Sequence, residues 1–294
     1  MTTSVTGKRK REQADWSVNL RSPHIFRSLL QFLEKTVEHV TFHVCVDENF
    51  SGLRMDAING SKVCMVKIAY ECDVECNGPE ETRWFCARTA TLKVLMHTVK
   101  PDSVVTLRRK STGDVLVVEI KDGKNGVSTS RVPMIDNNQS GVINMESIQF
   151  SKVIDMKSEV LKEACKTLTS IEASFIDLKI IETHGENRRC FFRISGEGIM
   201  ASTERTYRGI LCESQVNIAS DVEDGDEDGD EDDVDEGTET YSGRFPRLYV
   251  ANVLSSFDRS NIQLFLQDGM PLVMQYNLGD ESNYIKIVVA PSEA

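Results

Sequence analysis

The sequence predicts an α+β chain built from two similar halves, with its helices gathered on one face of extended antiparallel sheets. Three observations carry this. Residues 92–120 read LKVLMHTV, KPDS, VVTLRRK, STGD, VLVVEI, and residues 248–278 repeat the pattern as LYVANVLSSF, DRSN, IQLFLQD, GMP, LVMQYNL. Each copy is a helix, a turn, a strand, a tight turn and a second strand, and such a duplication signals two alike subdomains packed together. The same helix–strand–strand unit also starts near His24 and Ser158, giving four units that pair into two halves. Finally, stretches with a two-residue alternation of apolar and polar side chains far outnumber helical patterns.

The elements follow in order. Residues 1–15 are polar and read as a disordered tail, in which Lys8-Arg9-Lys10-Arg11 is either a nuclear import signal or a solvated basic stretch. WSVNL (16–20) is a short strand. In the helix over 24–38, Ile25, Leu29, Leu30, Leu33 and Val37 form an apolar stripe, with Arg27, Gln31 and Lys35 on the opposite face. Strand alternation marks 40–46, 52–58 and 62–71, and a polar loop with Gly78-Pro79 covers 72–82. A helix over 88–99 leads into the strand pair of the first repeat. Between 123 and 141 the pattern fades, apart from a strand around 127–134. The helix over 158–171 buries Val160, Leu161, Ala164, Cys165 and Leu168 and exposes Lys162 and Lys166. Strands at 175–181, 189–198 and 206–212 precede an acidic tract; the fourth helix opens at Pro246, where proline suits the first turn, and YIKIVVAP closes the chain. The implied organisation is a tail (1–15), a first domain (16–130), a linker (131–148) and a second domain (149–294) carrying a disordered acidic loop at 221–240.

The net charge of -12 belongs to that loop: residues 221–239 hold 13 acidic and no basic side chains, so the remainder stands at +1. An acidic whole-chain balance therefore does not exclude a nucleic-acid partner, because the distribution of charge decides. The eight cysteines sit mostly within apolar alternations, no signal peptide is read, and no apolar run is long enough to span a bilayer. This points to a reducing interior with cysteines acting as small hydrophobes. Cys72, Cys76 and Cys86 have poor spacing for structural zinc. The run from Asp224 to Gly229, with Asp235 beyond, mimics a calcium loop but lacks flanking helices and a terminal Glu, so no metal or cofactor is expected. The five histidines share no neighbourhood with a nucleophile and no Gly-rich phosphate loop is present, which argues against an enzyme.

The stretches MPLVMQYNLGDESNYIKIVVAP, FSGLRMDAINGSKVCMVKI, PDSVVTLRR with DVLVVEI, and FSKVIDMKSEVLKEACKTL resemble the sliding clamps of the proliferating cell nuclear antigen (PCNA) type. The resemblance runs in order over 17–291. It departs in the helix sequences, the extra tail and the enlarged acidic loop, which would suit a clamp from a large DNA virus. It implies a DNA-clamp fold with helices on the inner face and sheets outside. It also implies a head-to-tail homotrimeric ring around double-stranded DNA, a clamp loader, and polymerases and other clients docking through short aromatic peptide motifs, in a nucleus or viral replication compartment.

Each helix also carries basic residues opposite its apolar face: Arg27 and Lys35, Arg88 and Lys93, Lys162 and Lys166, and Arg244 with Arg247 opening the fourth. Converging, they would line a positive hole whose phosphate contacts are independent of DNA sequence. Lys93 and Lys166 match the family's pore residues best, while Glu34, Glu38 and Glu163 oppose the trend. For client peptides the resemblance implies a groove formed by Ile58 and Val63, Ile143 and Met145, Met270 and Pro271, and Val289, Ala290 and Pro291. Ile143 and Met145 are also apolar residues inside a polar linker, a sign of an interaction site. Ring closure would pair the edges at 127–134 and 207–212. The competing readings are a checkpoint-type heterotrimeric clamp subunit, a monomeric processivity factor and an acidic chaperone-like binder.

Overall fold

The computed structural model describes residues 14–110, 114–123, 126–136, 150–183, 189–212, 215–218, 237–257, 261–278 and 283–292. The basic tail, the linker around Ile143 and Met145, and residues 219–236 of the acidic tract lie outside them. The first half runs β1 (Ala14–Leu20), α1 (Pro23–Thr36), β2 (His39–Val46), β3 (Ser51–Ile58), β4 (Cys64–Cys76), β5 (Trp84–Arg88), α2 (Thr89–Met96), β6 (Val104–Lys110), β7 (Val115–Lys121) and β8 (Val127–Pro133). The second runs β9 (Lys152–Lys157), α3 (Ser158–Ser170), β10 (Phe175–Glu182), β11 (Cys190–Glu197), β12 (Ser202–Cys212), β13 (Gln215–Ile218), β14 (Thr238–Pro246), α4 (Arg247–Ser256), β15 (Asn261–Leu266), β16 (Leu272–Asn277) and β17 (Tyr284–Val289). The mixed α+β class expected from the sequence is the one found.

The duplication governs strand pairing. In the first half β2 pairs β5, β3 pairs β4, β1 pairs β6, and β6–β7–β8 form a meander. The second half repeats this as β10–β14, β11–β12, β9–β15 and β15–β16–β17. One substitution breaks the symmetry: where β1 pairs β4 antiparallel, β9 pairs the extra strand β13 in parallel, and β13 folds back on residues 209–212 of β12. The halves are joined by β17, which pairs with residues 64–69 of β4.

All four helices bury their apolar stripes in a common core with the inward side chains of these strands. Phe26, Leu29, Leu30 and Leu33 of α1, Leu92 and Met96 of α2, Leu161 and Leu168 of α3, and Val250, Val253 and Leu254 of α4 are at most 3% exposed. Fully burying one such side chain stabilises by about 1.5–3 kcal/mol. α1 packs on α2, α3 packs on α4, and α1 meets α4, so the helices share one side of the sheets. In the first half Trp16, fully buried, donates its indole N–H to the Thr82 carbonyl at 2.8 Å and packs against Phe85.

Several boundaries differ from expectation for identifiable reasons. The polar segment 72–82 contains five more residues of β4, in which Cys72, Val74 and Cys76 alternate with Asp73 and Glu75. β5, β13 and β14 are additions to the expected strands, and β14 claims Thr238–Thr240 from the acidic loop. α2 ends at Met96, short of the Lys100-Pro101 pair, as expected where a proline disfavours helix before it. Residues 131–135 remain attached to the first half: β8 runs through Pro133, and Ile135 N–H donates to the Cys86 carbonyl. Burial pushes the thiols of Cys64 and Cys165 up to about 12 and that of Cys190 up to about 11. The thiolate is the reactive form, so iodoacetamide at neutral pH should label half-exposed Cys45 and Cys76 at least tenfold faster than these three, as read by peptide mass spectrometry.

Candidate DNA-facing surface and partner groove

The solvent-facing stripes of the helices are less basic than the sequence pattern suggested. On α1, Lys35 is exposed and its Nζ reaches the Ser255 hydroxyl of α4 at 3.2 Å. On α3, Lys166 is exposed and Lys162 half-buried. Arg88 is exposed at the N-cap of α2. Lys93 instead pairs with Glu34 across the α1–α2 contact, 2.9 Å apart. The outward stripe of α2 and the turn after it is Ala90, Thr91, Val94, His97 and Thr98, and that of α4 begins with Leu248; Val94 is 70% and Leu248 59% exposed.

Three of the four expected arginines are drawn away from this surface. Arg27 donates from Nη1 to the Val99 carbonyl just beyond α2, 2.8 Å away, and its Nε is buried. Arg247 does the equivalent in the second half, donating to the Ala173 carbonyl and the Thr169 hydroxyl at the end of α3. Both donate to a carbonyl in the turn just past a helix C-terminus, where a cation is also favoured by the helix dipole. Arg244 does not open the fourth helix at all. It sits in β14 between core-facing Tyr241 and Phe245 positions and points to the other face of the sheet. There it makes a two-pronged ion pair with Asp177, at 2.7 and 3.1 Å, and lies over the Phe175 ring. That hydrogen bond first, then the charge of Asp177 and last that of Glu197, hold its guanidinium above the usual value. Arg205 of β12, not singled out from sequence, reaches the Thr167 hydroxyl and Glu163 of α3.

The candidate partner groove lies on the outer sheet face, and register defines its floor. Phe265 of β15 stands opposite Val273 of β16, Val273 opposite Val288 of β17, Val288 opposite Met65 of β4, and Met65 opposite Ile58 of β3. Five apolar side chains thus form a row across five strands. Phe150, the first described residue after the linker, packs on it edge-to-face with Phe265. Ile58 ends this row at 38% exposed. Val289, expected to line the groove, is 0% exposed and belongs to the opposite face; its neighbour Val288 takes the outward position, since alternation on a strand makes a one-residue shift a change of face.

Around the row lie Val63, Met270, Pro271, Ala290 and Pro291. Ala290 N–H donates to the Val63 carbonyl and Ser292 N–H to the Arg244 carbonyl, so the tail is stitched from the β3–β4 loop to β14. That loop is itself fixed by Asn59, 7% exposed. Its Oδ1 accepts from the Val63 and Cys64 amides, and its Nδ2 donates to the hydroxyls of Ser61 and of Tyr249 on α4. Met270 (42% exposed) and half-buried Pro271 occupy the β15–β16 turn, where Gly269 takes φ +69°, and Met270 shares a cleft of about 500 Å³ with exposed Pro291 and Arg244. Among the described residues no group of three or more His, Cys, Asp or Glu side chains gathers at a metal-binding distance.

This architecture has solved counterparts. The PCNA of Entamoeba histolytica superposes with a TM-score of 0.71 at 15% identity, covering 96% of this chain and 100% of that one. The chain has the sliding-clamp fold. PCNA from Thermococcus kodakaraensis gives 0.70 at 16% identity (94% and 100% covered), and the PCNA2–PCNA3 complex of Sulfolobus tokodaii gives 0.69 at 16% (94% and 98%). No protein-family model matches the sequence, and no curated protein matches it. The likeness resides in the arrangement of elements rather than in side chains.

Proposed function

We propose that this chain is a DNA sliding clamp: a non-catalytic ring that encircles duplex DNA without regard to sequence and tethers a polymerase and other clients. Near-complete coverage of clamp structures supports the reading, but the observation that carries it is a missing strand pairing. Within the chain, β17 of the second half pairs with the start of β4 in the first. The pseudo-symmetric counterpart would pair β8 with the start of β12. Yet among the described residues β8 pairs only with β7, and residues 202–208 of β12 pair only with β11. The two free edges belong to one chain and are complementary by the duplication. Head-to-tail pairing between copies satisfies both and, repeated to closure, gives a ring. This corrects the edge expected at 207–212, of which 209–212 is covered by β13.

On this reading the two halves are the two clamp domains, the segment after residue 135 connects them, and the ring is a homotrimer opened by a clamp loader. Its place of work is the nucleus or a viral replication compartment. Self-assembly of the purified chain separates it from a heterotrimeric clamp subunit and from a monomeric factor. Lys35 and Lys166 are the inner-face cations most available to phosphates. Reversing both to Glu should cut clamp-dependent polymerase stimulation at low salt by about tenfold while leaving the oligomer intact, and the deficit should shrink as salt rises. Full stimulation by the double variant at low salt would remove these lysines from the DNA path.

A further inference from the structure

We infer that the partner groove continues past the Arg244–Asp177 pair to a second subsite at the β11–β12 hairpin, which takes an apolar and basic flank of the same client peptide. The inference rests on the groove reading above and extends it. Two clefts meet at this ion pair. One contains Met270 and Pro291, the second contains Phe175, Ile199, Glu172 and Glu197, and both are walled by Asp177 and Arg244. The second has a volume of about 330 Å³. It is lined by Ile199, 82% exposed, and Phe175, 40% exposed; Ile199 and the next residue, Met200 at 84%, are the most exposed large apolar side chains among the described residues. Such a cluster costs solubility unless something covers it.

The hairpin that presents these residues is held firmly. Gly198 N–H donates to the Ala201 carbonyl at 2.9 Å, and the backbone presses so closely on the Ile171 carbonyl that no side chain fits at 198. Charge then selects the occupant. Arg244 is neutralised by Asp177, which leaves exposed Glu172 and Glu197 unbalanced around the apolar tip. A segment pairing an aliphatic side chain with Lys or Arg matches both features, and the shared wall makes it continuous with a peptide seated at Met270 and Pro291.

Calorimetry on the assembled wild-type protein tests this with three peptides. One is a short motif of glutamine, an aliphatic residue and two adjacent aromatics. The other two add an Ile-Lys-Lys-containing flank of about five residues, long enough to reach ~17 Å when extended, at the N-terminal or the C-terminal end. One flanked peptide should bind about tenfold tighter than the short one. Ile199→Asp and Glu197→Lys should each abolish that gain and leave both short-peptide affinity and the light-scattering mass unchanged. If the short peptide binds and neither flank adds affinity, the second subsite is wrong and the groove stands. If the short peptide itself fails to bind, the groove reading falls and this inference with it. A change of mass in Ile199→Asp would assign the tip to contacts between copies and overturn the proposal.

Discussion

In light scattering the wild-type chain should weigh about 99 kDa, three times its 33.0 kDa, and a proline in the middle of β8 should return it to a folded monomer. β8 exposes nearly its whole length: only Val132 is buried, and Val127 is 60% exposed. An isolated edge of this kind invites pairing with another chain. Successive residues on a strand send their N–H groups to opposite sides, so of Ser128→Pro and Thr129→Pro one removes a donor from the β7 ladder and the other removes a donor from the free edge. The second type should keep the circular dichroism of the wild type and lose assembly. Each interchain hydrogen bond forfeited is worth about 1 kcal/mol, and a proline disturbs its neighbours as well, so a shift of a hundredfold or more in the assembly constant is expected. A proline at Leu211 is not a clean test, because Leu211 pairs with Val216 inside the chain. A wild-type mass of 33 kDa would refute the ring outright.

Much of this architecture was legible in the sequence because both repeats carry the same apolar rhythm. The stripe of Leu29, Leu30 and Leu33 and that of Leu161, Cys165 and Leu168 placed α1 and α3 within a residue or two of their observed limits. Strand β14 escaped because its beginning, Thr238–Thr240, is polar and follows an acidic run, so its two core anchors, Tyr241 and Phe245, stand too far apart to announce a strand. β13 escaped because four residues are too few to show a period. The site was less legible than the fold. Counting basic residues per helix picked out Lys35 and Lys166, which are exposed, but it could not reveal that Arg27 and Arg247 are spent on carbonyls across the helix pairs, since those partners lie more than seventy residues away. Nor could it show that Arg244 faces the opposite side of the sheet. The groove's floor is visible only through register: Met65, Val273 and Val288 come from three strands, and each reads locally as an ordinary buried strand residue.

A charge placed at the groove's mouth should weaken client binding without touching the ring. Met270→Asp and Pro291→Asp alter side chains that are exposed, at the turn before β16 and in the tail beyond β17, so neither leaves a cavity or buries a carboxylate in the core. A peptide carrying glutamine, an aliphatic residue and two adjacent aromatics would draw its affinity from a few anchors seated in apolar surface. A carboxylate there must be desolvated on binding, and the cations that share the cleft, Arg244 and Lys179, are already paired with Asp177 and Glu239, so the penalty is several kcal/mol if fully paid. Each variant should therefore weaken binding by tenfold to a hundredfold, about 1.4 kcal/mol per decade, while mass and DNA retention stay those of the wild type. Val289→Asp supplies the contrast. Val289 is 0% exposed and lies opposite Leu272 and Cys64, so a carboxylate there should unfold the junction between the halves rather than select against a peptide. Wild-type peptide affinity in both surface variants would mean that clients dock elsewhere, while a stable, assembling Val289→Asp would mean that the strand faces its other side outward.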